Sequence, residues 1–561
     1  MGIERIRFLA TCLFLMSMQT VTAQTGQAKY VVRFTDKNGS TFSVGAPQDF
    51  LSQRAIDRRS RQNIPVTQAD LPVNEWYIDS VATKGARIIN RLKWQNAVVV
   101  ECDSLTRISI DALPFVLSSD RVKRVAGSPG DGSRKKSLRL HSGPVLKELP
   151  FLRTASYDYG PSFNQLHLMN AEYLHDQGYK GEGIVIAVLD AGFYQADHVP
   201  SLDSLFIDNR LLSTWDFVDD QASVFEDDSH GLSVLSTIAG ILPGQLIGTA
   251  PHAAFHLLRS EDAPTENIIE EYNWAAAAEY ADSAGADIIT SSLGYSTFDD
   301  TSASHTYADM NGNTCPSSLA ADFAASRGLL VLASAGNQGN SGWHYISAPS
   351  DGDSVLAVGA VDSSGFKASF SSFGPSSDGD VKPNVAAKGL GTIVSYGDGS
   401  NGPGNGTSFA CPVLAGAAAC LWQAHPNKSN MEVFHAIEQS ASYYNTPGDS
   451  LGFGIPNFIL ADLLLGGIID GLPYEEALMS VYPNPFNDRL ELQYFSRKAQ
   501  TIRLSLTDGL GRVVWNKDVA VSGNSISTLS LPDLGNLQTG FYLIRVASGE
   551  KEFVRKVVRS R

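Results

Sequence analysis

Residues 183–190 read GIVIAVLD, an apolar run of strand length closed by a carboxylate. Two further runs share its form, ADIITSSLG at 286–294 and GLLVLASAG at 328–336, and each ends in small or polar residues. Beside them stand stretches with helical patterning, NIIEEYNWAAAAEYADSA at 267–284 and SLAADFAASRG at 318–328. Strands alternating with helices imply an α/β unit, a parallel sheet with helices on both faces. We place that unit at residues 160–470. In such sheets ligands bind at the carboxyl ends of the strands, so the polar residues closing these runs are where chemistry is sought.

Outward from this unit the chain changes character twice. Residues 24–150 open with KYVVRFTD, which reads as a strand. A charged helical stretch follows at 48–62, carrying Arg54, Arg58, Arg59 and Arg61, and then a second strand, WQNAVVVEC. SPGDGSRKKSLRLHSGP at 128–144 reads as an exposed linker. Arg134-Lys135-Lys136 within it is either a processing point or a solvated loop. Residues 478–561 hold short runs, LELQYF, IRLSL, RVVW and FYLIRVAS, separated by turn signals such as Asp508-Gly509; this reads as a small β-sandwich. At the other end, Arg5 and Arg7 precede the apolar residues 8–18, with Val21-Thr22-Ala23 offering small residues for cleavage. Residues 1–23 therefore read as a signal peptide. The apolar run is too short to span a bilayer, and no later run reads as long enough.

The 561 residues suit three or four units with a large core. The net charge of −16 argues against a nucleic-acid partner, which needs clustered Lys and Arg. Of five cysteines, Cys12 leaves with the signal; Cys102, Cys315, Cys411 and Cys420 have no metal-type spacing. Cys411 and Cys420 sit on one helix, on opposite faces and ~13 Å apart along its axis. They should not bond, and both read as small buried apolar residues.

Three residues are candidates for chemistry. Asp190 closes GIVIAVLD; a carboxylate there can hold an imidazole in one tautomer, though an Asp after a strand is ordinarily a cap. His230 opens an amphipathic helix in DSHGLSVLSTIAG, where it is accessible to act as a general base or merely to cap. Ser408, in NGTSFACPVLAG, sits near a helix start marked by Gly406 and Pro412; alone it would be an N-cap.

Together the three are specific, because Asp, His and Ser in that chain order form one of the known orders of a hydrolytic triad. AVLDAGF, HGLSVLSTIAG and GTSFACPVLAG resemble the Asp, His and Ser motifs of the subtilisin family; GTAPHA, FSSFGP and KPNVAAKG resemble further blocks of it. The resemblance spans roughly residues 160–465. It implies a secreted serine endopeptidase with Asp190, His230 and Ser408 as its triad. ASAGNQG places the oxyanion-hole asparagine at Asn337. TSSLG places the substrate-pairing edge at Ser292, Leu293 and Gly294, and Ser334, Ala335 and Gly336 would line a pocket able to take a large apolar side chain. Three departures stand out: Leu232 and Ser233 replace a usual Thr and His, and Ala191 replaces a usual Ser or Thr.

Many members of that family bind calcium. The oxygen-rich loops Glu226-Asp227-Asp228, Asp299-Asp300 and Asp351-Gly352-Asp353 lack calcium-loop spacing, so no cofactor is expected to be required and the loops read as acidic surface. His198, His252, His256 and His344 read as structural. The N-terminal segment occupies the place of a propeptide; the alternative is a small domain that stays attached. VYPNPFNDRLEL, TDGLGRVVW and LQTGFYLIRVASGEKEFVRKVV resemble a type A sorting domain of the type IX secretion system. This implies export across the outer membrane, with secretion machinery and protein or peptide substrates as partners. The alternative function is a catalytically silent, subtilisin-like surface adhesin.

Overall fold

The computed structural model describes residues 26–122, 157–444, 446–466 and 476–559, apart from 483, 485, 524 and 550. The signal segment and Arg134-Lys135-Lys136 lie outside the described residues. The expected parallel sheet has seven strands, ordered Val385–Lys388, Val355–Val361, Leu330–Ser334, Ile288–Ser291, Val185–Asp190, Ala254–Arg259 and Leu211–Asp216. Every neighbouring pair is parallel. GIVIAVLD supplies an interior strand, and its period-two alternation faces two cores. Ile186 and Val188 face one core with the helices His230–Ala239 and Thr407–Ala424. Val185, Ala187 and Leu189 face the other with Ile269–Ala284 and Pro316–Ser326. Asp190, Ser291 and Ser334 end adjacent strands, so the sheet lines up three polar residues along its carboxyl edge.

The helix Thr407–Ala424 corrects one expectation. By length and hydropathy it is apolar enough to cross a membrane, yet it is 89% buried inside the protein. Its composition reflects packing on all sides. Gly416 shows how tight that packing is, since a Cβ there would collide with Thr249 Oγ1. Cys411 and Cys420 are free, buried and on opposite faces, as read: Cys411 Sγ lies 3.5 Å from Thr290 Oγ1, and Cys420 Sγ bonds Thr249 O at 3.2 Å. The helix His230–Ala239 is likewise buried from Gly231 onward, so it is enclosed and not amphipathic.

The N-terminal domain is a four-stranded antiparallel sheet, ordered Arg87–Leu92, Ala97–Cys102, Ala28–Phe34 and Val116–Val122. Tyr30, Val32, Val98 and Val100 face its own helices. The alternate residues Val31, Ala97 and Val99 join Trp274 and the helix face of the α/β unit. The helix Gln53–Arg61 carries the arginines read from sequence, and two of them are buried while Arg61 is exposed. Arg58 and Arg59 are 0% and 1% exposed, and both bond Asp282, which also receives Lys93 Nζ at 2.8 Å. Arg54 and Arg58 also donate to Gly285 O and Ala286 O, capping the negative end of Ile269–Ala284. This clamp sits where strands begin: the next residue, Asp287, accepts Val185 N at 2.9 Å. It therefore lies at the edge of the sheet opposite Asp190.

The C-terminal residues form two antiparallel sheets, Glu476–Tyr482, Leu490–Ser496 and Ser525–Leu531 in one, Val513–Val521, Gln500–Asp508, Gly540–Ser548 and Lys551–Arg559 in the other. Leu490, Leu492 and Tyr494 share a core with Ile502, Leu504, Leu506, Ile544 and Val546, consistent with the sandwich reading.

Candidate active site

Asp190 is the last residue of its strand and 0% exposed. Its Oδ1 accepts the Ala191 N–H at 2.9 Å and lies 2.7 Å from His230 Nδ1. The buried Oδ2 has no partner among the described residues, which matches the lack of a hydroxyl at Ala191. His230 is set by its own backbone: its N–H donates to Asp228 Oδ1 at 2.6 Å, and Gly231 N–H donates to Gly192 O at 2.9 Å. The Gly192–Gly231 approach needs glycine at 231, because a Cβ would collide with Gly192 O. Burial alone would lower the His230 pKa. The Asp190 charge and hydrogen bond, helped by Asp228 and Glu261, instead hold it up at about 9.

Ser408 lies in the first turn of Thr407–Ala424, where backbone N–H groups have no intrahelical acceptor. Pro412 is four residues on and has no N–H, so the Ser408 carbonyl loses its helical donor. Ser292 Oγ replaces it at 2.8 Å. In return Ser408 Oγ donates to Ser292 O at 3.4 Å. A bond from Ser408 to His230 is not formed in this structure; such bonds are often long before substrate binds. The adjacent Phe409 packs its ring 5.8 Å from the His230 ring, which brings the two helix starts together.

Asn337 is exposed, and its Oδ1 accepts both Thr407 N at 2.8 Å and Thr407 Oγ1 at 3.0 Å. A backbone N–H is only a donor, so this contact fixes the amide and turns Nδ2 away from Thr407. Thr407 Oγ1 also accepts Gly336 N–H at 3.2 Å. Gly336 takes φ 102°, a conformation that favours glycine. Ser334 Oγ donates to Leu293 O at 3.5 Å, tying the two segments 292–294 and 334–336. Gly294 is exposed, and among the described residues its backbone groups have no partner.

A model of the subtilase family matches residues 181–455, one of the peptidase S8 propeptide domain of Bacteroidota matches 29–137, and one of the secretion system C-terminal sorting domain matches 480–560. Subtilisin NAT of Bacillus subtilis subsp. natto is 33% identical over 290 residues, covering 51% of this chain and 67% of that protein. Subtilisin of Bacillus pumilus is also 33% identical, over 51% of this chain and 92% of its own length. The chain belongs to the subtilase family. It is a subtilisin-like serine protease made as a zymogen, and its sorting domain directs export across the outer membrane. A thermostable alkaline protease of Halalkalibacterium halodurans is 29% identical over 360 residues, 63% of this chain and 88% of that protein. A solved structure of MycP3 protease from the type VII (ESX-3) secretion system is 22% identical, covers 54% of this chain and 89% of that one, and has a TM-score of 0.42.

Calcium is common in subtilases, and the acidic loops of this one offer carboxylates that could be weighed as ligands. Asp216, Asp219 and Asp227 converge, but on the Arg259 guanidinium, at 2.8, 2.7 and 3.3 Å. Asp300 caps Ser302 N, and Asp351 accepts Gly312 N and Ser318 Oγ. These carboxylates are used by the chain's own donors and do not fit a calcium ion. His252 and His256 bond Tyr157 and Ser213, and His344 Nδ1 bonds Gly339 O, in keeping with structural roles; His198 pairs with its neighbour Asp197 at the surface.

Sequence reasoning passed over two residues at the site of this subtilase. Arg259 Nε donates to Ala191 O at 3.1 Å while its Nη1 holds Asp216, Asp219 and Asp227, so it ties the Asp190 turn to the His230 loop. The clue was an Arg closing the apolar strand AFHLLR. Ser347 is 3% exposed, and its hydroxyl lies against both Gly294 and Gly336: a Cβ on Gly294 would collide with it, and one on Gly336 would lie 3.1 Å away. Ser347 thus lies between the two segments that the sequence reading assigns to substrate.

Proposed function

We propose that this subtilase cleaves internal peptide bonds through an acyl-enzyme, with Asp190, His230 and Ser408 as its triad. The observation that carries the reading is the 2.7 Å Asp190–His230 bond, set at the carboxyl edge of the sheet where the Ser408 helix begins. An extended peptide pairs with the free backbone of Gly294, and Ser292 and Leu293 complete that edge. One side chain enters between 292–294 and 334–336, where Ser347 favours a small or polar group. Ser408 Oγ attacks the carbonyl carbon as His230 Nε2 takes its proton; the C–N bond then breaks as His230 protonates the leaving amine. Water repeats the sequence and frees the acid. Asp190 holds the tautomer and balances the imidazolium. Asn337 Nδ2 and the Ser408 N–H receive the oxyanion.

The signal at 1–23 and the N-terminal segment to about residue 150 leave during maturation, and the C-terminal domain from 478 engages the outer-membrane secretion machinery. Casein hydrolysis by Ser408→Ala and Asn337→Ala tests the chemistry. The first should abolish turnover. The second should lower kcat by about 10²–10³-fold, the loss known for a subtilisin's oxyanion asparagine. Full activity in Ser408→Ala would refute the reading.

A further inference from the structure

Beyond 292–294 the chain runs through a long segment, 296–315, before the helix Pro316–Ser326 begins. That segment folds back on itself: His305 N–H donates to Ser296 O at 2.8 Å, and Phe298 N–H donates to Ser304 Oγ at 2.9 Å. The return brings His305 to Glu271, in the first turn of Ile269–Ala284, and to Cys315, the residue before Pro316.

The ligating atoms of Glu271, His305 and Cys315 all lie within 4.8 Å of one another. Glu271 and Cys315 are 0% exposed, and the His305 side chain is 9% exposed. Carboxylate, imidazole and thiolate are the side chains that bind zinc. Zinc bonds of about 2.0–2.3 Å would hold three such atoms roughly 3.3–3.8 Å apart, so shifts of about an ångström complete the arrangement. An ion, unlike a side chain, needs only the gap between its donors.

Two observations set this cluster apart from an ordinary ion pair. Glu271 divides its oxygens: Oε2 accepts Ser317 N–H at 3.2 Å and Ser317 Oγ at 2.7 Å, while Oε1 meets His305 Nε2 at 2.5 Å. The Ser317 bonds orient the carboxylate from behind, as outer hydrogen bonds do for metal-binding carboxylates. Cys315 stands at the N-cap of Pro316–Ser326 yet makes no capping hydrogen bond, and its Sγ reaches only Asp309 O, at 3.6 Å. Ser, Thr, Asp or Asn would serve the helix better there, so helix capping does not account for the thiol. Charge also balances: one carboxylate and one thiolate neutralise a divalent ion, which a buried position requires.

We propose that Glu271, His305 and Cys315 form a structural zinc site that pins the segment 296–315 to the helix Ile269–Ala284. On binding, the thiol proton passes to solvent, and the imidazole binds through Nε2 and keeps its proton on Nδ1. The exposed edge of His305 leaves room for water as the fourth ligand. Calcium does not suit this donor set, because it takes oxygen ligands. The site is independent of the triad.

The test treats the matured secreted enzyme with a chelator and titrates it with Co²⁺, a spectroscopic probe for zinc sites. One equivalent should bind with a thiolate-to-cobalt charge-transfer band in the near ultraviolet, and Zn²⁺ should displace it. Cys315→Ser should remove that band. His305→Gln, which alters a partly exposed side chain and keeps the thiol, should raise the dissociation constant at least about tenfold. No stoichiometric band, a band that survives Cys315→Ser, or an affinity within about threefold of wild type in His305→Gln would each overturn the site.

Discussion

Replacing Asp282 with Asn tests how the N-terminal domain holds the protease. Asp282 and its partners Arg58 and Arg59 are almost wholly buried, and Lys93 nearly so. The amide would leave three cations facing a neutral group, and breaking a buried ion cluster from one side costs about 3–5 kcal/mol. In the mature enzyme without its N-terminal domain the side chain is hydrated, so the cost falls on docking alone. The dissociation constant should rise by about two to four powers of ten. The assay is inhibition of matured wild-type and Asp282→Asn enzyme by the added N-terminal domain, followed with a short peptide substrate. Uninhibited turnover should be unchanged, because the clamp lies at the opposite edge of the sheet from Asp190. Arg58→Met in the added domain closes a double-mutant cycle, and the two losses should couple strongly. An inhibition constant within about threefold of wild type would show that apolar packing of Val31 and Val99 on Trp274, and not the ion cluster, governs docking.

His230 gives a pH signature. Its folded pKa is raised above the unfolded 6.5, so its stabilising pair with Asp190 is fully present below 6.5 and fades as pH rises through about 9. Catalysis needs the neutral imidazole, so the acid limb of kcat/KM should lie above 6.5 and move down in Glu261→Gln; a limb at or below 6.5 would contradict the assignment. Ser347→Gly should open the pocket and raise kcat/KM for a large apolar side chain relative to alanine by about tenfold, read with paired peptide substrates. An unchanged ratio would place the specificity elsewhere. Arg259→Met should cost about 3–5 kcal/mol in urea unfolding by leaving Asp216, Asp219 and Asp227 facing one another, and should lower kcat more than it changes KM. Arg259→Lys should recover stability better than kcat, because only a guanidinium reaches both Ala191 O and the acids; equal recovery of the two would argue against a positioning role.

The α/β unit was legible because its interior strands are buried on both faces and so read as unbroken apolar runs, as GIVIAVLD does. The candidate site was legible because the sheet aligns strand ends, and Asp190, Ser291 and Ser334 close three neighbouring runs. What stayed hidden depends on contacts between distant segments. Arg58 and Arg59 read only as part of a charged helical stretch, since charge patterning cannot tell solvent from a partner such as Asp282. Ser347 carries no motif, and only the folded chain brings it between Gly294 and Gly336. The role of Ser292 follows from a carbonyl that Pro412 leaves without a donor, a relation visible only once both belong to one structure.

The proposed chemistry turns on Ser408 as the nucleophile. The most direct test treats the matured, secreted enzyme with a serine-directed fluorophosphonate and maps the modified peptide by mass spectrometry while following casein hydrolysis. A single label on Ser408 is expected, with hydrolysis lost in proportion to labelling. Folded enzyme freed of its N-terminal domain that neither labels nor hydrolyses casein would contradict it and favour a catalytically silent adhesin.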